Sequence, residues 1–97
     1  MKTAHQKRLD FRARLKSKKI MIVPGIYDAL SAKIAQEAGI PCLAMGGYAI
    51  EASRLAQPDV GLLSLSEMTT ALKQICDAVD IPVIGDGDTG YGNALNA

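Results

Sequence analysis

No apolar run in this chain approaches the roughly 20 residues needed to span a bilayer, and no apolar core with a small-residue cleavage site marks a secretory signal. The expectation is therefore a cytoplasmic protein. Cysteine is scarce: Cys42 and Cys76 lie 34 residues apart in apolar surroundings, with no Cys-x-x-Cys spacing. Neither a zinc site nor a redox pair is indicated, and both read as buried thiols. Histidine occurs once, at His5 near the start, where it reads as an exposed bystander rather than a ligand or base. No Gly-x-Gly-x-x-Gly follows an apolar strand and no P-loop lysine motif is present, so nucleotide binding of those kinds is unsupported.

What remains is ordinary globular material. Of 97 residues, 48% are hydrophobic and 22% charged, too apolar for disorder and enough for one modest core. The net charge is only +1, but it is unevenly placed. Lys2, Lys7, Arg8, Arg12, Arg14, Lys16, Lys18 and Lys19 fall in the first 19 residues against one acid, Asp10, while the other 78 residues carry three bases and nine acids. Such an arm can mark nucleic acid, a membrane surface or a transit peptide. Leu9, Phe11 and Leu15 interrupt it at helical spacing, and no aromatic interleaving accompanies the charge. The reading is a solvated helix over about residues 5–17 with no nucleic-acid role.

Beyond the arm, apolar runs alternate with helical periods. Ile20-Met21-Ile22-Val23 reads as a first strand buried on both faces and stopped by Pro24-Gly25. Asp28 is a helix N-cap, Leu30, Ile34 and Ala38 mark one face, and Gly39 ends a helix of about residues 29–38. Ile40 to Met45 predicts a second strand, opening at Gly46-Gly47. Residues 49–63 are less regular: Ala49 to Ser53 suits a short helix, and Gln57-Pro58-Asp59-Val60-Gly61 reads either as a turn with a solvated acid or as a loop adding a carboxylate to a site. Ser64-Leu65-Ser66-Glu67 is a capping box, followed by Leu65, Met68, Leu72, Ile75, Cys76 and Val79 on a 3.6-residue period. Ile81 to Ile84 is the third strand.

This order predicts an α/β chain of parallel βαβ units, whose post-strand loops share one rim. That rim is where open sheets and (β/α)8 barrels place their chemistry. The third loop, Gly85-Asp86-Gly87-Asp88-Thr89-Gly90-Tyr91-Gly92, carries two carboxylates two positions apart. In extended backbone such positions share a face about 6.6 Å apart. Converged carboxylates 4 Å apart repel by roughly 4 kcal/mol at an effective dielectric of 20. A magnesium ion, which takes one or two carboxylates and keeps several waters, removes that cost. The same residues also suit a solvated Asp/Gly turn.

Several segments together resemble the isocitrate lyase and phosphoenolpyruvate mutase superfamily: residues 24–32 (Pro-Gly-Ile-Tyr-Asp-Ala-Leu-Ser-Ala), Met45-Gly46-Gly47-Tyr48, Pro58-Asp59, and Asp86-Gly87-Asp88-Thr89-Gly90-Tyr91-Gly92-Asn93. The resemblance implies a Mg2+-dependent (β/α)8 enzyme, with Mn2+ as an alternative ion. It further implies that Asp86 contacts the metal directly, that Asp88 and Asp59 hold its waters, and that Gly46, Gly47, Tyr48 and Asp86 bind a small carboxylic-acid substrate. Gly46 stands where many members have serine, so a hydroxyl contact is lost. The implied activity is carbon–carbon cleavage of a 2-hydroxy or 2-methyl di- or tricarboxylate through an enolate, of the methylisocitrate lyase kind, in a homo-oligomer. The alternatives are a phosphonate-type mutase, such as carboxyphosphonoenolpyruvate mutase, or an oxaloacetate decarboxylase.

A barrel of this kind needs eight βα units and about 250 residues, and only three strands are readable here. The expectation is a single unit over residues 1–97, the N-terminal helix and first three βα units of an incomplete barrel, with no catalytic acid or base assignable. A reading of a different class is a non-catalytic truncated barrel associating through open strand edges. A 97-residue polypeptide of this sequence is expected to be unstable or to associate, as thermal melting and sedimentation report; a sharp cooperative melt of a monomer contradicts this.

Overall fold

The computed structural model describes residues Met1–Ala97. In chain order the elements are α1 (Ala4–Lys16), β1 (Gly25–Ile26), α2 (Ala29–Glu37), β2 (Leu43–Met45), α3 (Gly47–Leu55), α4 (Leu65–Ala78) and β3 (Val83–Gly85). The strands form one parallel sheet in the order β1-β2-β3, with Gly25 opposite Ala44 and Leu43 opposite Val83. Parallel pairing sends all three strand C-termini, and the loops after them, to one edge. No helix is long and apolar enough to cross a membrane.

Local chemistry explains most boundaries. Three helices open with reciprocal capping boxes, Thr3 with Gln6, Asp28 with Ser31 and Ser64 with Glu67, each pairing two amides that have no partner inside the helix. α2 stops at Ala38 because Gly39 takes a left-handed conformation at φ +89°. α3 ends on Ala56 in the same conformation.

The first strand differs from its expected place. Residues 20–23 are not paired in the sheet, and Ile20 is 96% and Ile22 74% exposed. The first backbone bond to β2 is donated by the Ala44 amide to the Pro24 carbonyl, and register begins only at Gly25. An apolar run is a poor marker of the paired residues when proline, which cannot donate, stands at its end. The face of α2 marked by Leu30 and Ile34 is also exposed; the inward residues are Ala32 and the half-buried Ala35. Small side chains there let α2 lie close to α4.

One core holds the assembly. Leu43 and Met45 of β2, Ile50 of α3 and Met68, Ala71 and Ile75 of α4 pack with Ile26, Ala32, Leu63 and Val79. β2 is central and paired along both edges; its Leu43 and Met45 are buried on one face, while Ala44 on the other is half-buried. Leu72 of α4 lies over β3 so closely that a Cβ on Gly85 would sit 2.8 Å from its Cδ2. The α4 C-terminus is held from outside the sheet, where the Lys7 ammonium donates to the Cys76 carbonyl at 2.8 Å and to the Val79 carbonyl. α1 itself buries no residue. Cys42 is buried and Cys76 half-buried, and burial raises the pKa of both thiols. Ile75→Ala should cost about 2–5 kcal/mol by removing fully buried methyl groups, whereas Thr69→Ala on the exposed side of α4 should stay within about 0.5 kcal/mol; urea denaturation of the two variants measures the difference.

Candidate metal and substrate site

Two of the post-strand loops meet at a single hydrogen bond. β2 ends at Met45, Gly46 is the extended N-cap of α3, and Gly47 is the first helical residue. The Gly46 position has no side chain to cap the helix, so the orphan first-turn amides need another acceptor. Asp86 supplies it: the Gly47 amide donates to its Oδ2 at 2.9 Å. The Asp86 amide in turn donates to the Met45 carbonyl at 3.0 Å, extending the ladder and fixing the aspartate beside β2. Its other oxygen, Oδ1, accepts from the Asp88 amide at 2.8 Å.

These bonds set the charge of Asp86. The Gly47 amide first, and the Asp88 amide second, hold its pKa below the ordinary carboxylate value, against a smaller opposing effect of burial. A carboxylate whose pKa is lowered by folding stabilises the fold above its unfolded value, about 3.9. That contribution is lost as pH falls through the lower folded value.

The turn after β3 is tightly wound. Gly90 donates to the Gly87 carbonyl at 2.9 Å, and Asp88 (φ +48°) and Tyr91 (φ +59°) both take left-handed conformations. Such conformations in residues with a Cβ cost of order 1–3 kcal/mol each and cluster at functional sites. Their effect is to aim the Asp88 amide back at Asp86 and to fold the half-buried Tyr91 against the core. Burial raises the Tyr91 pKa, and the charges of Asp86, Asp88 and Glu51 raise it further.

Gly47 is the floor of the site. A Cβ there would sit 3.2 Å from Asp86 Oδ2 and 3.8 Å from Asp59 Oδ1, so carboxylates from two separate loops reach the same small space. Asp88 approaches from another side, its Oδ2 4.0 Å from where a Gly61 Cβ would lie. All three aspartates are exposed. No three acidic, histidine or cysteine side chains close into a ligand cage. Hard oxygen donors that converge without a closed cage fit a cation that takes one or two carboxylates and keeps its waters, as Mg2+ does, better than one needing a full protein shell.

Of the residues expected at the site, the structure brings Gly47, Asp86 and Asp59 together. It ties Asp88 to Asp86 through its backbone and leaves the Tyr48 side chain exposed at the start of α3. Sequence reasoning missed Tyr91 and Glu51. Nothing in the sequence around Glu51 signals its role, which rests on loop amides that meet it only in the folded chain.

The chain is 46% identical over 85 residues to 2,3-dimethylmalate lyase of Eubacterium barkeri, covering 88% of this chain and 29% of the relative. It is 46% identical over 87 residues to the chloroplastic carboxyvinyl-carboxyphosphonate phosphorylmutase of Arabidopsis thaliana, covering 89% and 26%. Among solved structures, phosphonopyruvate hydrolase in complex with oxalate and Mg2+ superposes with a TM-score of 0.87 at 37% identity, covering 93% of this chain and 31% of that one. The chain thus spans under a third of the length of these relatives and corresponds to three βα units of their barrel. The family profile described as phosphoenolpyruvate phosphomutase matches residues 11–97, and with the strand-end aspartates and the glycine floor in place, the chain belongs to that family of lyases and mutases.

Proposed function

We propose that the whole protein is a Mg2+-dependent lyase that cleaves a carbon–carbon bond in a 2-hydroxy or 2-methyl di- or tricarboxylate through an enolate, of the methylisocitrate lyase type. The observation that carries this reading is the meeting of Asp86 and Asp59 over Gly47, at the N-terminus of α3. The lyase relative, acting on a dimethyl-substituted malate by its name, supports the substrate class.

In this reading Asp86 would hold the ion directly, and Asp59 and Asp88 would hold it through water. The bound ion supplies a Lewis acid for the oxygen that becomes negative when the bond breaks. The chain's own residues do the rest. Asp86 has two lone-pair positions engaged by amides and two free, so it stays ionised and correctly turned without a cation. The first turn of α3 presents amides with no intrahelical acceptor beyond the one used by Asp86, and the helix dipole adds positive potential there. Gly46, Gly47 and Tyr48 thereby bind a substrate carboxylate, and the absence of a Cβ at Gly47 lets it approach.

Phosphonate chemistry is the second reading, supported by the equal identity to the Arabidopsis phosphorylmutase. Product analysis with 2-methylisocitrate, 2,3-dimethylmalate and carboxyphosphonoenolpyruvate separates the two. For the site itself, Mg2+ and oxalate together should raise the melting temperature of the whole protein by several degrees. A ligand at 100 times its Kd stabilises by about 2.7 kcal/mol. Either component alone should do much less, and Asp86→Asn should abolish the effect. A shift undiminished in Asp86→Asn, or no shift in the unaltered protein, overturns the reading.

A further inference from the structure

Glu51 is the one charged side chain buried in the fold, at 3% exposure. It lies on α3 next to Ile50, the other buried residue of that helix. No lysine or arginine pairs with it. Its charge is met instead by three backbone amides of one loop: Oε1 accepts from Leu62 at 2.8 Å and Leu63 at 3.3 Å, and Oε2 accepts from Val60 at 3.2 Å. Successive amides converging on one anion form a seat for negative charge. An apolar residue would fill the same space at lower desolvation cost, but it would leave the Leu62 and Leu63 amides without an acceptor and the Val60 amide with only its 2.9 Å bond to the Pro58 carbonyl.

The seated loop is the one that carries Asp59. Asp59 immediately precedes Val60, and its exposed carboxylate makes no hydrogen bond or ion pair that could place it. Its position over Gly47 is therefore set by the backbone alone. Gly61, between two of the seated amides, is the residue that Asp88 approaches. Leu63, at the end of the loop, is anchored in the core. Glu51 thus reaches from inside α3 to the segment lying between two of the site's carboxylates.

We propose that Glu51 is a positioning residue: its buried carboxylate locks the 59–63 loop and so holds Asp59 over Gly47, a role that rests on the metal-site reading above. Outer-shell groups of this kind typically change metal affinity 10- to 100-fold when altered.

The test is titration of the whole protein with Mg2+ alone by calorimetry, for the parent, Glu51→Gln, Asp59→Asn and the double variant. Glu51→Gln puts an amide N–H where one of the loop donors needs an acceptor, while Asp59→Asn leaves the seat intact. Each single change should weaken Mg2+ binding about 10-fold. The double variant should be no more than about 2-fold weaker than Asp59→Asn, since the two act through one group. Hydrogen exchange at Leu62 and Leu63, whose amides have Glu51 as their acceptor, should accelerate in Glu51→Gln, with α4 unchanged. Parental Mg2+ affinity in Glu51→Gln, or losses that multiply, overturns the role. If Glu51→Gln does not fold, Glu51→Asp, shorter by one methylene, carries the same decision: weakened affinity supports the role and parental affinity overturns it. Absence of Mg2+ binding by the parent overturns the proposed function and this role with it, whereas parental binding retained in Glu51→Gln overturns only the role.

Discussion

The Asp86 carboxylate, shared between the amides of Gly47 and Asp88, is the contact on which the rim of this fold depends. It joins the loop after β3 to the helix that begins after β2, two segments 39 residues apart in the chain. It also caps α3, whose own N-cap is a glycine with no side chain to offer. A charge-assisted bond to a backbone amide contributes roughly 1.5–3 kcal/mol, discounted here because the aspartate is exposed. Its larger consequence is geometric: the carboxylate is ionised and oriented before any ligand arrives.

Such preorganisation requires a rigid frame, and the sheet supplies it. β2 is paired along both edges, and the Met45 carbonyl at its end receives the Asp86 amide. The same strand thus determines where α3 starts and where Asp86 stands. Close packing elsewhere serves the same end: Leu72 against Gly85 fixes the height of β3, and beyond the left-handed Asp88 and Tyr91 the chain folds back so that Ala97 lies against Gly90. Two residues with side chains held in that conformation are a local strain that the surrounding contacts must sustain.

Much of this was legible in the sequence because it is written in local chemistry. The capping box at Ser64 and the period through Met68, Ile75 and Val79 located α4, and Asp28 and Gly39 bounded α2 to within a residue. The parallel three-stranded order followed from the alternation of apolar runs and helical periods. Non-local effects were less legible. Residues 20–23 have strand composition, but pairing is a property of two strands, and β2 meets the chain only from Pro24 onward. On α2 the apolar face at Leu30 and Ile34 is more hydrophobic than the alanine face, yet the alanines are the side that fits against α4. Glu51 could not be read from its neighbours, because burying a carboxylate makes sense only once the amides of Val60, Leu62 and Leu63 are known to converge on it.

The most direct test of this account is an acid titration of Asp86 by NMR, following its side-chain carboxyl carbon together with the Gly47 amide in the ligand-free protein. Asp86 should titrate below the ordinary carboxylate value, about 3.9, and the Gly47 amide signal should move with the same midpoint, because that amide is the main cause of the lowering. An Asp86 that titrates at the ordinary value, with a Gly47 amide indifferent to it, would contradict the central claim that the carboxylate is seated on the start of α3.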